Sequence, residues 1–196
     1  MVDTVLNADA QTALFILYEG AREVLGAERL QEVKADFDSA NPARPLAEAG
    51  SFLKALEAGF GMAGGRGLAL RIGRAAFRYG LPLYGERIGF RSVGFRLLPA
   101  PRRLESGLLA LARLLAPALG AVTVTDEGGH WLCHVEDGVG SDEAPAQSPL
   151  CFFVAGLLQE FTLWASGGRF YRVTETQCRA SGSPACQYRI EKKPLD

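Results

Sequence analysis

The residues best suited to chemistry lie in the last quarter of the sequence. Three of the four cysteines, Cys151, Cys178 and Cys186, fall there together with the carboxylate of Glu175. Cys151 lies in the first turn of a predicted helix, and Cys178 and Cys186 flank a short turn between two predicted strands. Three thiolates and one carboxylate would complete a tetrahedral zinc site with no open position, which is a structural arrangement. On residue types and spacing alone, buried or free cysteines are an equally good interpretation.

Other residues with catalytic potential lack a supporting context. Strand alternation over 130–136 places Trp131 and Cys133 on one face and His130 and His134 on the other. We interpret Cys133 as a buried hydrophobic residue and the two histidines as solvated or hydrogen-bonded side chains. No Ser-His-Asp arrangement, paired-carboxylate motif or dinucleotide-binding loop is recognisable, so no catalytic residue is predicted.

The glycine-rich segment 61–65 could suggest a phosphate-binding loop. No clear strand precedes it, and no Gly-Lys-Ser/Thr follows it, so the pattern favours a break between two helices. The second helix would then carry a solvated basic face formed by Arg66, Arg71, Arg74 and Arg78.

The bulk composition limits the function classes. The chain has 196 residues, of which 48% are hydrophobic, and a net charge of −1. A sizeable core is therefore expected, whereas a basic surface for nucleic acid is not. The first residues do not resemble a secretory signal. The most apolar stretch, 107–124, is interrupted by Arg113 and Pro117, so no membrane insertion is predicted. These features suggest a cytoplasmic protein, in which clustered cysteines favour metal binding over disulfides.

The hydrophobic periodicity changes from helical to alternating near residue 120. It predicts helices at about 7–25, 28–37, 46–60, 66–79, 104–115 and 148–166, and strands at 121–125, 130–136, 170–177 and 185–191. Asn7 or Asp9 is expected to cap the first helix and Ser148 the last, while 41–45 and 137–149 form loops. The segment 81–98 is ambiguous. The predicted fold class is α+β, with N-terminal helices packed on an antiparallel sheet of about four strands in hairpin–helix–hairpin order.

The last forty or so residues resemble a known family. The segment Glu175-Thr-Gln-Cys178-Arg-Ala-Ser-Gly-Ser-Pro-Ala-Cys186-Gln-Tyr-Arg-Ile is similar to the terminal motif of the 4-vinyl-reductase or hydrocarbon-binding domain family. That family includes sensor domains of phenol- and xylene-responsive activators, a protein implicated in bacteriochlorophyll synthesis and, distantly, subunits of a Golgi tethering complex. The resemblance implies that Glu175, Cys178, Cys186 and the helix-borne Cys151 hold structural zinc beside a buried pocket for a small aromatic molecule.

The same resemblance suggests residues for the pocket. Trp131 matches a sensor tryptophan that contacts the phenol hydroxyl, although an ordinary core tryptophan is an equally good interpretation. The histidine that the sensors use before the hairpin has no counterpart, since Arg102 and Arg103 occupy that region. This difference disfavours phenol and favours a larger, more apolar or anionic ligand. The predicted pocket residues are Trp131, Phe153, Leu157, Tyr171 and Arg103.

Three functions follow from these expectations. The first is a zinc-stabilised sensor or carrier domain for a small hydrophobic or aromatic ligand, which passes its signal to a separate, unidentified partner. The second, implied by the family name, is an enzyme or accessory protein of (bacterio)chlorophyll vinyl reduction, for which no hydride-donor motif is recognisable. The third is a protein-interaction module. Residues 1–45 would form a helical extension and candidate homodimer surface, and 46–196 the ligand-binding domain.

Overall fold

A computed structural model describes residues 2–35, 45–136 and 149–195. The loop residues 41–44 and 137–147, Phe37 and Ser148 lie outside this part, as do the side chains of Asn7 and Asp9. The helices are α1 (Val2–Leu25), α2 (Ala27–Ala35), α3 (Pro45–Tyr84), α4 (Val93–Leu97), α5 (Ala100–Leu119) and α6 (Pro149–Ala165), and the strands are β1 (Val122–Asp126), β2 (His130–Val135), β3 (Tyr171–Gln177) and β4 (Cys186–Pro194). The fold class is α+β, as predicted. The first helix begins at Val2, earlier than either predicted cap.

The four described strands form one antiparallel sheet in the order β1-β2-β4-β3. The register pairs Val135 with Cys186 and Trp131 with Ile190. Alternation then buries one face of β2, including Cys133, while His130 and His134 lie on the other face and are only half-buried. The predicted division of β2 into two faces is confirmed. Because Cys186 and Ile190 are four residues apart on β4, the two ends of this buried face are separated by about 13 Å.

The main hydrophobic core lies between this face of the sheet and helices α5 and α6. Leu104, Leu108 and Leu111 form the buried stripe of α5 at helical spacing. Helix α6 is apolar on most sides, because it also packs against α3 on the side away from the sheet. It runs from Cys151 towards Ala165, and the short connection to Tyr171 returns the chain along β3. The last turns of α6 therefore lie over the Trp131 end of the sheet.

Two glycines allow α3 and α6 to touch at their backbones. A Cβ added at Gly73 would lie 2.0 Å from the carbonyl oxygen of Phe153, and one added at Gly156 would lie 2.0 Å from that of Leu70. No side chain larger than hydrogen fits at either position without moving a helix. This crossing sets the position of α6, and with it the position of Cys151.

Helices α1 and α2 pack on α3 around a second core. Its buried residues include Leu17 on α1, Leu30 on α2, and Phe52 and Ile72 on α3. Tyr18 also donates a 2.6 Å hydrogen bond to Glu48. The predicted break within α3 is present at Gly61, whose φ of 71° interrupts the helix. The boundary predicted near residue 45 between an extension and a main domain remains a prediction.

The predicted solvated basic face of α3 is confirmed for Arg71 and Arg78, which are exposed, but three of its four arginines form ion pairs. Arg74 Nε lies 2.8 Å from Glu160 Oε2, and Arg78 lies 2.9 Å from Glu160 Oε1. Arg66 pairs with Glu57 at 3.2 Å. Glu160 is a buried residue of α6, more than 80 positions from its partners, so local sequence patterns could not reveal the pairing. Among the residues that the structure describes, no helix is long and apolar enough to span a membrane.

Candidate metal centre and adjoining core

The three clustered cysteines come from two elements. Cys151 is the third residue of α6, where the positive end of the helix dipole favours a thiolate. Cys178 directly follows β3 and Cys186 begins β4. A short 3₁₀ turn connects them and ends at Gly182, which has a φ of 93° that glycine adopts without strain. This turn returns Cys186 to the side of Cys178 and directs both sulfurs towards α6.

A bulge in β3 adds the carboxylate to the cluster. In a regular strand, residues three positions apart point to opposite faces, which would separate Glu175 from Cys178. The pairing of β3 with β4 shifts register between Glu175 and Gln177. Such an irregularity reverses the alternation, so the two side chains reach the same site.

The resulting geometry suits a small metal ion. Cys151 Sγ lies 3.4 Å from Cys178 Sγ and 3.6 Å from Cys186 Sγ. Four potential ligand atoms, one each from Cys151, Glu175, Cys178 and Cys186, lie within 4.8 Å of one another. In a tetrahedral zinc site with Zn–S bonds of ~2.3 Å, sulfurs are about 3.8 Å apart. Glu175 Oε1 is also buried without a hydrogen-bond partner. These residues fit a metal ion, and its identity as zinc remains a prediction.

The protonation of the cluster reflects strong coupling between its thiols. The hydrogen bond from Cys151 lowers the pKa of Cys186 to about 7, with a smaller contribution from the backbone N–H of Arg179. The same hydrogen bond, together with burial, raises the pKa of Cys151. Burial raises the pKa of Glu175, while the neighbouring cysteine thiols and, to a smaller extent, the charge of Arg66 oppose that shift. Without a metal, Cys186 is thus more readily ionised than Cys151.

Sequence reasoning missed the residues that surround this cluster. Arg66 lies over the ring of Phe152, with 5.3 Å between its guanidinium carbon and the ring centroid, and contributes positive charge near Glu175. Tyr188 is fully buried on β4, next to Cys151. Strand alternation from Cys186 could have identified Tyr188, since residues two apart share a face. No local pattern could have identified Arg66.

Four of the five predicted pocket residues belong to the main core or pack against it, and a pocket shared by all five remains a prediction. Trp131, Leu157 and Tyr171 are buried in this core, and Phe153 packs against it. Phe153 and Leu157 also lie where α6 crosses Gly73 of α3. Arg103 is half-buried near the start of α5.

Two of these residues carry buried polar atoms without partners. Among the described residues, the buried side-chain nitrogens that lack a hydrogen bond are Trp131 Nε1 and Arg103 Nε. Trp131 itself is 3% exposed. Burying a hydrogen-bond donor without an acceptor is costly, and such atoms are uncommon in folded proteins. Both atoms are donors, so an acceptor supplied by a bound molecule would satisfy them.

Cys133 is buried, as predicted, and the two histidines are half-buried. Burial raises the pKa of the Cys133 thiol to about 12, so this cysteine is an unreactive core residue. The chain has two histidines, and both lie on the face of β2 opposite Trp131 and Cys133. Neither histidine joins the cysteine cluster.

A group of aromatic side chains near the end of α6 was not predicted. Phe90 stacks on Phe95 at 4.9 Å and on Phe161 at 5.8 Å, and lies 5.2 Å from Trp164 between ring centroids. Phe77 contacts both Phe161 and Trp164. We call these five residues the aromatic cluster. The sequence offered no signal for it, because the rings come from three separated segments.

No protein-family model and no curated protein matches the chain. Solved structures do match it. The phenol-responsive sensory domain of the transcription activator PoxR, with phenol, is 22% identical over 74% of this chain and 73% of that one, with a TM-score of 0.52. An H-NOX protein from S. oneidensis in the Fe(II)NO ligation state is 11% identical over 92% and 98%, with a TM-score of 0.58. An oxygen-binding H-NOX domain related to soluble guanylate cyclases is 14% identical over 94% and 96%, with a TM-score of 0.56. The chain therefore shares a fold with a phenol-responsive sensory domain and with H-NOX proteins.

Proposed function

We propose that this protein is a zinc-stabilised domain that binds a small hydrophobic or aromatic molecule, as a sensor or carrier. The observation that carries the proposal is the buried Nε1 of Trp131, a donor without an acceptor on the same sheet face as the cysteine cluster. The shared fold with a phenol-responsive sensory domain supports it, as does the resemblance of the last forty or so residues to the hydrocarbon-binding family.

In this proposal the metal has a structural role. Cys151, Glu175, Cys178 and Cys186 would hold zinc and fill its coordination sphere, so the ion would supply a crosslink and no reactive position. The crosslink joins the first turn of α6 to the β3–β4 hairpin. It thereby fixes one end of the core, while Trp131 lies about 13 Å away along the sheet and is available for a ligand.

The H-NOX neighbours raise a second kind of ligand, because one is described in the Fe(II)NO ligation state and the other as oxygen-binding. Histidine is a frequent ligand of haem iron. In this chain His130 and His134 both point away from the helices that cover the sheet. Their position favours an organic ligand in the core over an iron centre held by histidine.

Homodimer formation through α1 and α2 is part of the proposal. Phe15 of α1 is an apolar side chain that is 54% exposed, and such an interface would cover it. A cytoplasmic location and a separate output partner complete the proposed setting. Light scattering over a range of concentrations measures the dimer, and a monomer at high concentration would argue against it.

Native mass spectrometry of freshly purified protein tests the metal and the ligand together. We expect about one zinc per chain and either a co-purified small molecule or binding of phenol and toluene measured by calorimetry. The Trp131→Phe variant removes the donor but keeps an aromatic ring, so it should weaken phenol more than toluene. If phenol, toluene and benzoate all fail to bind and nothing co-purifies, the ligand-binding proposal is wrong. Hydride consumption with a vinyl tetrapyrrole would replace it with the enzymatic alternative.

A further inference from the structure

Arg103 differs from the other half-buried arginines of the described residues. Arg66 and Arg74 pair with glutamates, and Arg179 donates to the carbonyl of Glu136 at 2.7 Å. For the guanidinium of Arg103, the described residues provide no carboxylate and one long hydrogen bond, 3.4 Å from an NH group to the carbonyl oxygen of Arg96. Its Nε is buried without a partner. Arg103 is thus a partly desolvated cation without a counter-ion, which is energetically unfavourable.

Arg103 lies beside the aromatic cluster. Gly107, one helical turn further along α5, faces two rings of that cluster, and a Cβ added there would lie 2.6 Å from Phe161 and 3.3 Å from Phe95. The carbonyl that Arg103 contacts belongs to Arg96, the residue after Phe95. The unpaired cation thus adjoins a group of stacked rings. Trp131, with the second unpaired donor, lies at the same end of the sheet.

The short helix α4 covers the aromatic cluster and makes few contacts with the rest of the protein. Helix α4 has five residues, none of them fully buried, and its Val93 and Leu97 are 71% and 78% exposed. Phe95 is its one side chain that inserts between other rings, stacking on Phe90 at 4.9 Å and on Trp164 at 6.0 Å. A planar aromatic ligand would find the same stacking surfaces if Phe95 moved out with α4.

We propose that the ligand is a small aromatic acid, whose ring takes the place of Phe95 and whose carboxylate binds Arg103. The inference rests on the proposed function and specifies its ligand class. The planar guanidinium offers Nε and an NH group to the two oxygens of a carboxylate, in the paired geometry that arginine favours. A neutral phenol would accept one hydrogen bond but leave the positive charge unbalanced. The unpaired cation therefore selects an anionic ligand over a neutral one.

Calorimetry with benzoate, phenol and toluene on the full chain tests this ligand class. We expect benzoate to bind more tightly than phenol. Arg103→Gln should weaken benzoate about tenfold or more, as expected for loss of a charged hydrogen-bond pair, and change phenol much less. Arg103→Lys should retain part of the preference. Arg102→Gln is the matched control, because Arg102 is the exposed neighbour on the same helix and should leave both affinities unchanged.

The outcomes separate this inference from the proposed function. If phenol or toluene binds, but benzoate does not or is insensitive to Arg103→Gln, the aromatic-acid assignment is wrong and the ligand-binding function stands. If no compound binds, both are wrong. A role for Arg103 in stability alone would lower the Tm of Arg103→Gln without changing the ratio of benzoate to phenol affinity. That result would also overturn the assignment.

Discussion

The two ends of α6 contrast in how they are built. Near its start, Cys151 meets Glu175, Cys178 and Cys186 in a compact group of potential metal ligands. Near its end, about 20 Å along the helix axis, Trp164 joins a group of stacked aromatic rings. The first group consists of residues with distinctive chemistry placed by one hairpin and one helix start. The second consists of common apolar residues brought together from distant segments.

This contrast indicates that one end of α6 is held rigidly and that the other end can bind a ligand. A four-ligand metal site holds its elements firmly, because each ligand is fixed by the ion. Ring stacking against α4 is weaker and involves a helix with no fully buried residue. We therefore expect the cysteine end to determine stability and the aromatic end to admit a ligand.

Loss of a metal ligand should produce the largest effect. Cys178→Ser removes one thiolate, so bound metal should fall from about one per chain to nearly none. Because a structural metal contributes directly to folding, Tm should fall by roughly 10 °C. Metal analysis and calorimetry measure both quantities. Cys133→Ala is the control, since Cys133 is buried on the same sheet face outside the cluster and should retain the metal. Equal metal content and Tm in wild type and Cys178→Ser would refute the metal crosslink.

Disturbing the helix crossing should affect both ends at once. Gly156→Ala places a methyl group against the backbone of Leu70, which no rotamer change can relieve, and should cost about 3 kcal/mol of unfolding free energy. Gly67→Ala is the matched change in α3, where the added methyl meets open space, and should stabilise by about 0.5 kcal/mol. Urea unfolding measures the two variants. Destabilisation of similar size in both would show that the crossing is not as close as described.

A variant at the aromatic end should separate the two regions. Phe95→Ala removes a half-buried ring and its stacking contacts with Phe90 and Trp164. The variant should lose about 2 kcal/mol of unfolding free energy. The metal content should not change, because Phe95 has no contact with the cysteine cluster. Leu97→Ala, at a 78% exposed position of the same helix, should alter stability by about 0.5 kcal/mol or less. Loss of metal from Phe95→Ala would mean that the two ends are coupled.

The smallest expected effect concerns the core between the two ends. The pKa of Cys133 is raised by burial from 9.0 to about 12, so its stabilising contribution is complete below pH 9 and is lost as pH rises towards 12. Between these values the unfolded chain releases the proton and the folded chain retains it. From pH 8 to pH 10, the wild type should lose about 1 kcal/mol more stability than Cys133→Val. Urea unfolding measures the free energy of unfolding of both proteins at each pH. If it changes equally with pH in both, Cys133 is accessible to solvent.

Sequence patterns predicted the elements better than their contacts. The α+β class, the β1–β2 hairpin and the burial of Cys133 follow from local periodicity, which depends on neighbouring residues. The ambiguous segment 81–98 contains the end of α3 and the short α4, whose packing depends on rings elsewhere in the chain. The ion pairs of Arg74 and Arg78 on α3 could not be predicted, because the carboxylate of Glu160 lies more than 80 residues away.

The sequence by itself determined the set of candidate metal ligands, since thiols flanking a tight turn must lie close together and a cysteine in the first turn of a helix can face them. It also determined which face of β2 is buried. Only the tertiary structure decided that the β3 bulge turns Glu175 into the cluster and that Gly73 and Gly156 let two helices touch. It alone showed that Arg103 lacks a counter-ion beside stacked rings. These features depend on distances between separated elements, which local residue patterns do not encode.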